Sequence, residues 1–307
     1  MMSKKAIFLA SMLAASISNQ VGADDVFPKL QGDWFGQPIP GSTPKVFAPG
    51  LVSLEGRYEF GMSFSPDLDE LYFTALKTGD EDNPEIYYSK IESGYWSKPK
   101  KANFSKNKLI YELLPHVSLI QDRLYFSGRT TPSKDSSGIW YVTRKQNGWS
   151  EASRLDVMPN KGRLSDYNQG KNGQIIFTNM PERKMYTANH VDGQITELRP
   201  LEIEFGLHGF ISPTQDYLLV NARNNDDENR RDSDLYVYFK NQDGTWSKPI
   251  NLGTQVNTTY SETVARVTPD GKFLFFGRYN EPGRVSNIYW VSTDVIYDLK
   301  KRFEEKS

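Results

Sequence analysis

The chain reads as an all-β protein: a five-bladed β-propeller of four-stranded antiparallel blades, closed by an N-terminal strand in the last blade. Three observations predict it. A phrase of strand, turn and strand returns in phase along the chain, at a period near ~50 residues, which signals a ring or solenoid of repeated sheets. The phrase is Ser65 to Phe73 (SPDLDELYF), and it returns at Ser118 to Phe126, Ser212 to Val220 and Thr268 to Phe276, with a shortened form at Gly170 to Phe177. Each copy is followed by a third strand-like run, at Ile86, Ile139, Met185, Leu235 and Ile288. A fourth run opens at Tyr95-Trp96, Gly148-Trp149 and Gly244-Thr245-Trp246.

The third observation concerns the ends. The last copy has no fourth run after Trp290, whereas Pro44 to Leu51 precedes the first copy and looks like a spare one. An open ring leaves unpaired backbone at both ends, and lending the early strand to the last sheet removes that edge. The expectation is a ring over residues 44–300, after an extended lead at 24–43 and before a charged tail at 301–307. Tyr297 to Ser307 has the pattern of a short charged helix.

These repeated residues resemble the TolB-like, WD40-like β-propeller repeat of exported bacterial proteins. The resemblance covers residues 44 to about 300, with blade three, which lacks Ser-Pro-Asp, departing most. It implies a binding scaffold and carries no catalytic residues over by motif, because a fold does not fix chemistry.

Composition narrows the function. In 307 residues the net charge is -1, which gives no basic footprint for nucleic acid. The N-terminus has a basic lead, an apolar run from Ala6 to Ile17, and Val21-Gly22-Ala23 before Asp24. That is the pattern of a secretory signal (residues 1–23) cleaved after Ala23, and the run is too short to span a membrane. The expected location is the periplasm or the outside of the cell, as a monomer with no transmembrane segment in the mature chain. With no cysteine, disulfides are excluded and a core of this size suffices. His116, His190 and His208 lie in different copies with no zinc spacing, so neither metal nor other cofactor is expected.

In such a ring the start of strand one and the loop after strand two share one face. The loops there are long: Leu76 to Glu85, Gly128 to Gly138, and Ala222 to Asp234. Long polar loops on a rigid scaffold are where binding groups concentrate. Six positions before the anchor hydroxyl stand Glu59, Glu112 and Glu262, with Asp166 and His208 near the matching place in the other copies. Lys77, Arg129, Arg223 and Arg278 follow strand two, and Tyr58, Tyr111 and Tyr260 adjoin the acids.

Two readings of these charges stand side by side. An acid opening strand one and a base closing strand two are cross-strand neighbours, worth ~0.2–1 kcal/mol as ordinary pairs. Alternatively the bases and His208 bind an anionic ligand, the acids accept its hydroxyls and the tyrosines stack on a sugar ring. The first function expected is therefore an exported scaffold for a protein partner or an oligosaccharide-like ligand. The second is a glycan-active enzyme, a glycoside hydrolase or polysaccharide lyase, with Glu59, Glu112, Asp166 and Glu262 as catalytic candidates.

Overall fold

The computed structural model describes residues 27–76, 83–158, 163–223, 230, 232–280 and 285–305. The expected signal segment, Lys77 and most of the 224–231 stretch lie outside them. Within the described chain the strands fall into antiparallel sets that follow the repeat. The first set is Tyr58–Phe64, Glu70–Leu76 and Glu85–Glu92, with Tyr95–Trp96 and Lys100–Lys101 as outer pieces. The second is Tyr111–Val117, Arg123–Arg129 and Ser137–Lys145, edged by Gly148–Trp149 and Ser153–Leu155. Leu164–Gln169, Gln174–Asn179, Lys184–Val191 and Gln194–Pro200 make the third, and Leu207–Ile211, Tyr217–Arg223, Ser233–Phe239 and Ile250–Asn251 the fourth. Ser261–Val267, Phe273–Asn280 and Val285–Ser292 make the last, and its outer strand is Lys45–Val46.

The N-terminal strand pairs as the loose ends require: Lys45 lies opposite Trp290 and Val46 opposite Tyr289. A single parallel bridge between Ser286 and Tyr58 joins the last set to the first. The opening strands of the sets also touch in sequence order, and the one at Ser261–Val267 returns to Tyr58–Phe64.

The anchor hydroxyl has a specific task. Ser65 Oγ accepts from the backbone N–H groups of Asp69 and Glu70. Ser118, Ser212 and Thr268 do the same in their own turns. Each hydroxyl thus satisfies backbone donors that a tight turn would leave open. Between sets the core is aromatic, as period-2 strands buried on both faces demand. Phe73 and Tyr87, Phe177 and Tyr186, and Phe276 and Tyr289 stack as cross-strand pairs with centroids 5.9–6.0 Å apart.

Both ends pack onto the sheets. Residues 27–43 do not run free: Leu30–Gln31 pairs with Tyr95–Trp96, and Trp34 and Phe35 are buried where the last set meets the first. Phe35 stacks on Trp96 at 4.6 Å, and Trp34 packs edge-on to Phe64 and Phe273. Burying two large rings favours docking by roughly 3–6 kcal/mol before the cost of ordering the segment. At the other end an α-helix runs from Asp294–Glu304 and buries Val295 and Ile296. Phe303 packs on Phe239, and Lys300 reaches Asp216 of the fourth set at 2.7 Å. Among the described residues no helix is long and apolar enough to cross a membrane.

Candidate functional site

The opening strand of every set is interrupted at the same place. Pairing with the second strand shifts between Phe60 and Ser63, Leu113 and His116, Ser165 and Asn168, Leu207 and Phe210, and Thr263 and Arg266. Each interruption is a bulge, and the residue four positions before the turn anchor adopts left-handed backbone: Gly61 (φ 61), Leu114 (57), Asp166 (64), His208 (54) and Val264 (52). Only Gly61 does so without a steric penalty; left-handed backbone costs the others on the order of 1–3 kcal/mol each. A bulge adds twist and turns the following side chains away from the regular alternation.

On the side of the long loops these bulges surround a cavity of about 410 Å³. Its polar lining includes Tyr58, Tyr111, Arg129, Lys134, Arg163 and His208, and no carboxylate belongs to the described lining. Arg129 lies over the ring of Tyr111, 4.9 Å from its centroid, and its buried Nε has no hydrogen-bond partner among the described residues. Tyr111 Oη and Ser137 Oγ share a hydrogen bond of 2.9 Å. Among the described residues no carboxylate comes within ion-pair distance of Arg129, Lys134 or Arg163. Three cations therefore face one concave space with no described carboxylate in ion-pair reach.

Beneath this cup the space is filled. Asp166 is fully buried and ion-paired to Arg266, itself 3% exposed, while its other oxygen meets His208 Nδ1 at 3.1 Å. Burial alone would raise the Asp166 carboxyl, but Arg266 and His208 outweigh it and hold it below its ordinary range. His116 is buried alongside; burial and then Arg266 push its pKa down to about 3, so it is neutral and accepts the Gln169 N–H on Nε2. Past these groups remains a cavity of only about 30 Å³, room for one water.

The glutamates do other work. Glu112 accepts the backbone N–H groups of Phe104 and Ser105, Glu59 that of Leu54, and Glu262 that of Thr258 together with its hydroxyl. Each carboxylate fastens the connection leading into its own set, and none of the three lines the cup. The expected acid-base pairing across strands one and two occurs in the last set, where Glu262 lies opposite Arg278 and accepts from its Nε at 2.7 Å. Glu59 instead pairs with Arg57, and Gly128 rather than a base stands opposite Glu112. Burial pushes Glu59 up to about 7 in spite of Arg57.

The remaining expected residues divide. Tyr58, Tyr111, Arg129 and His208 meet in the cup. Arg278 is held by Glu262 and by the Val256 carbonyl, and Tyr260 is exposed elsewhere. Arg223 lines a second cavity of about 730 Å³ between the third and fourth sets, with Arg183, Lys184, Glu202 and Glu204; Asn221 belongs to both cavities. Sequence reasoning missed Lys134, Arg163 and Arg266. Lys134 lay in a loop flagged by its length, and Arg266 is a charge inside the apolar run Thr263 to Val267. Among the described residues no group of three or more His, Asp or Glu is placed to hold a metal.

Comparison with known proteins bears on the fold. The chain matches a thermostable family-43 glycoside hydrolase at 10% identity and TM-score 0.54, over 79% of this chain and 90% of that one. It matches a GH43 endo-arabinanase from Bacillus licheniformis at 12% identity and TM-score 0.50, over 79% and 96%. The fold is of the propeller type. A putative TolB from Agrobacterium tumefaciens aligns at 13% identity and TM-score 0.46, over 75% of this propeller and 72% of its own chain. No family profile matches the sequence, and no curated protein matches it significantly. At such identities the likeness concerns architecture alone.

Proposed function

We propose that this is an exported five-bladed propeller, closed by Lys45–Val46, whose axial cup binds an anionic, sugar-like ligand. One observation carries the reading: Arg129, Lys134 and Arg163 converge on a cavity whose described lining has no carboxylate. Guanidinium and ammonium donors suit a carboxylate, sulfate or phosphate. The rings of Tyr58 and Tyr111 on the same wall suit a sugar face. The five-bladed count is supported by the five matching bulges and by the opening strands touching in a cycle. Export rests on residues 1–23, with a mature chain starting at Asp24 in the periplasm or outside the cell. The ligand belongs to an oligosaccharide or to a partner carrying such a group.

A glycoside hydrolase needs two carboxylates facing the scissile bond, ~5–5.5 Å or ~6.5–9.5 Å apart. Glu59, Glu112 and Glu262 are turned to the connections instead, which favours the binding reading. The test is equilibrium titration of the mature chain with uronate oligosaccharides and with neutral oligosaccharides of equal length. Binding of the charged series, weakening as salt rises, is expected; equal affinity for the neutral series would overturn the anion reading.

A further inference from the structure

We infer that His208 is the proton acceptor of a β-elimination carried out in the cup, on an oligosaccharide containing uronate residues. The inference rests on the anion reading above and adds a reaction to it. Nδ1 of His208 is committed to the buried Asp166, whose other oxygen is committed to Arg266. With the carboxylate accepting from Nδ1–H, the lone pair on Nε2 is the one free to act. The ring is a quarter exposed, it lines the cup, and Nε2 has no partner among the described residues. Arg266, Asp166 and His208 come from the fifth, third and fourth sets, and the last two occupy left-handed bulge positions that favour glycine. The bulge, which every set shares, turns these two side chains off the regular alternation of their strands.

The chemistry follows from what surrounds that nitrogen. A uronate carboxylate held by Arg129, Lys134 or Arg163 loses the charge that would resist removal of the proton on its α carbon. Nε2 takes that proton. The electron pair left behind forms the double bond between the α and β carbons as the glycosidic C–O bond at the β carbon breaks. The departing oxygen takes a proton from the Tyr111 hydroxyl, which Ser137 hydrogen-bonds, or from solvent. Water is not consumed and no carboxylate pair is required, in keeping with the described lining of the cup. Asp166 is a positioning residue, since it reaches the substrate only through His208.

The test uses the mature chain with oligomers of galacturonate, of glucuronate, and of mannuronate and guluronate. Cleavage is followed by the ultraviolet absorbance of the new conjugated double bond, and binding by calorimetry. The expected result is an unsaturated product, lost by ~10²-fold or more in His208→Asn while affinity stays within about threefold, as for a general base removed from an intact binding site. Asp166→Asn should lower kcat with KM nearly unchanged, as for a group that positions the base, whereas Glu112→Gln should keep the wild-type kcat and KM. Binding without an unsaturated product from any of the oligomers overturns the elimination and leaves the anion reading standing. Turnover by His208→Asn at the wild-type rate overturns the role of His208. Absence of binding to every oligomer overturns both readings.

Discussion

The first, second and last sets differ from the third and fourth in what they do with one strand position. In the former, Glu59, Glu112 and Glu262 stand six residues before the anchor and bind the backbone of the connection entering the set. In the latter the same position holds Leu164 and Gly206, which have no carboxylate to offer. The polar residues of those two sets lie two places further on, at the bulge, as Asp166 and His208. The cup takes lining residues from every set, whereas the larger cavity lies between the third and fourth and opens beside Gly206, with the connection before it held by Tyr238 through both the N–H and the carbonyl of Phe205. Similar sheets therefore use one position in two ways: in three sets it is a carboxylate that fastens a connection, and in the other two it is apolar or glycine and the polar side chain sits at the bulge.

Substitutions that erase this division should have effects in a definite order. Asp166→Ala removes one half of a buried ion pair and strands Arg266, so stability in urea should fall by ~3–5 kcal/mol. Asp166→Ala combined with Arg266→Met should recover much of that loss; a double variant no more stable than Asp166→Ala would show that the two residues are not coupled. Glu262→Ala should cost about 1–3 kcal/mol, because Thr258 N–H and the Arg278 guanidinium lose their acceptor, yet leave anion affinity unchanged. A drop in affinity there would place that carboxylate at the ligand after all.

A further effect concerns pH. Glu59 is raised by burial from its ordinary 4.5 to about 7 in the folded chain. Between those values the folded state holds a proton that the unfolded state has released, so stability falls as pH rises through the window and levels off above it. Glu59→Gln keeps an acceptor for the Leu54 N–H and cannot ionise, and its unfolding free energy should be flatter across pH 5–7 than that of the wild type. An unchanged slope would assign the proton elsewhere.

Much of the fold was legible because the signals are local. A turn hydroxyl, alternating aromatics and Gly-Trp turns each fit inside a few residues, and they recur in register. The spare early strand was legible from the missing fourth run of the last set, and Val46 does pair with Tyr289. Of the site, Tyr58, Tyr111, Arg129 and His208 were legible from loop position. The burial of the three glutamates was not. Counting by twos along a strand tells which face a residue takes, but a bulge between Glu262 and Arg266 resets the phase, and no single-strand pattern announces it. The Arg266, Asp166 and His208 cluster joins three sets far apart in sequence, so only the tertiary arrangement brings it together. The docking of Trp34 and Phe35 was hidden for the same reason: their partners Trp96, Phe64 and Phe273 lie in the first and last sets.

The central claim is that the cup, and not the ring of glutamates, receives the ligand. Titrating a uronate oligosaccharide into wild type and into Arg129→Gln/Lys134→Gln/Arg163→Gln tests it most directly. The triple variant should lose at least ~10-fold in affinity, since each charged hydrogen bond is worth about 1.5–3 kcal/mol, with an unfolding midpoint close to wild type because these cations hold no described carboxylate. Undiminished binding by a folded triple variant would contradict the account.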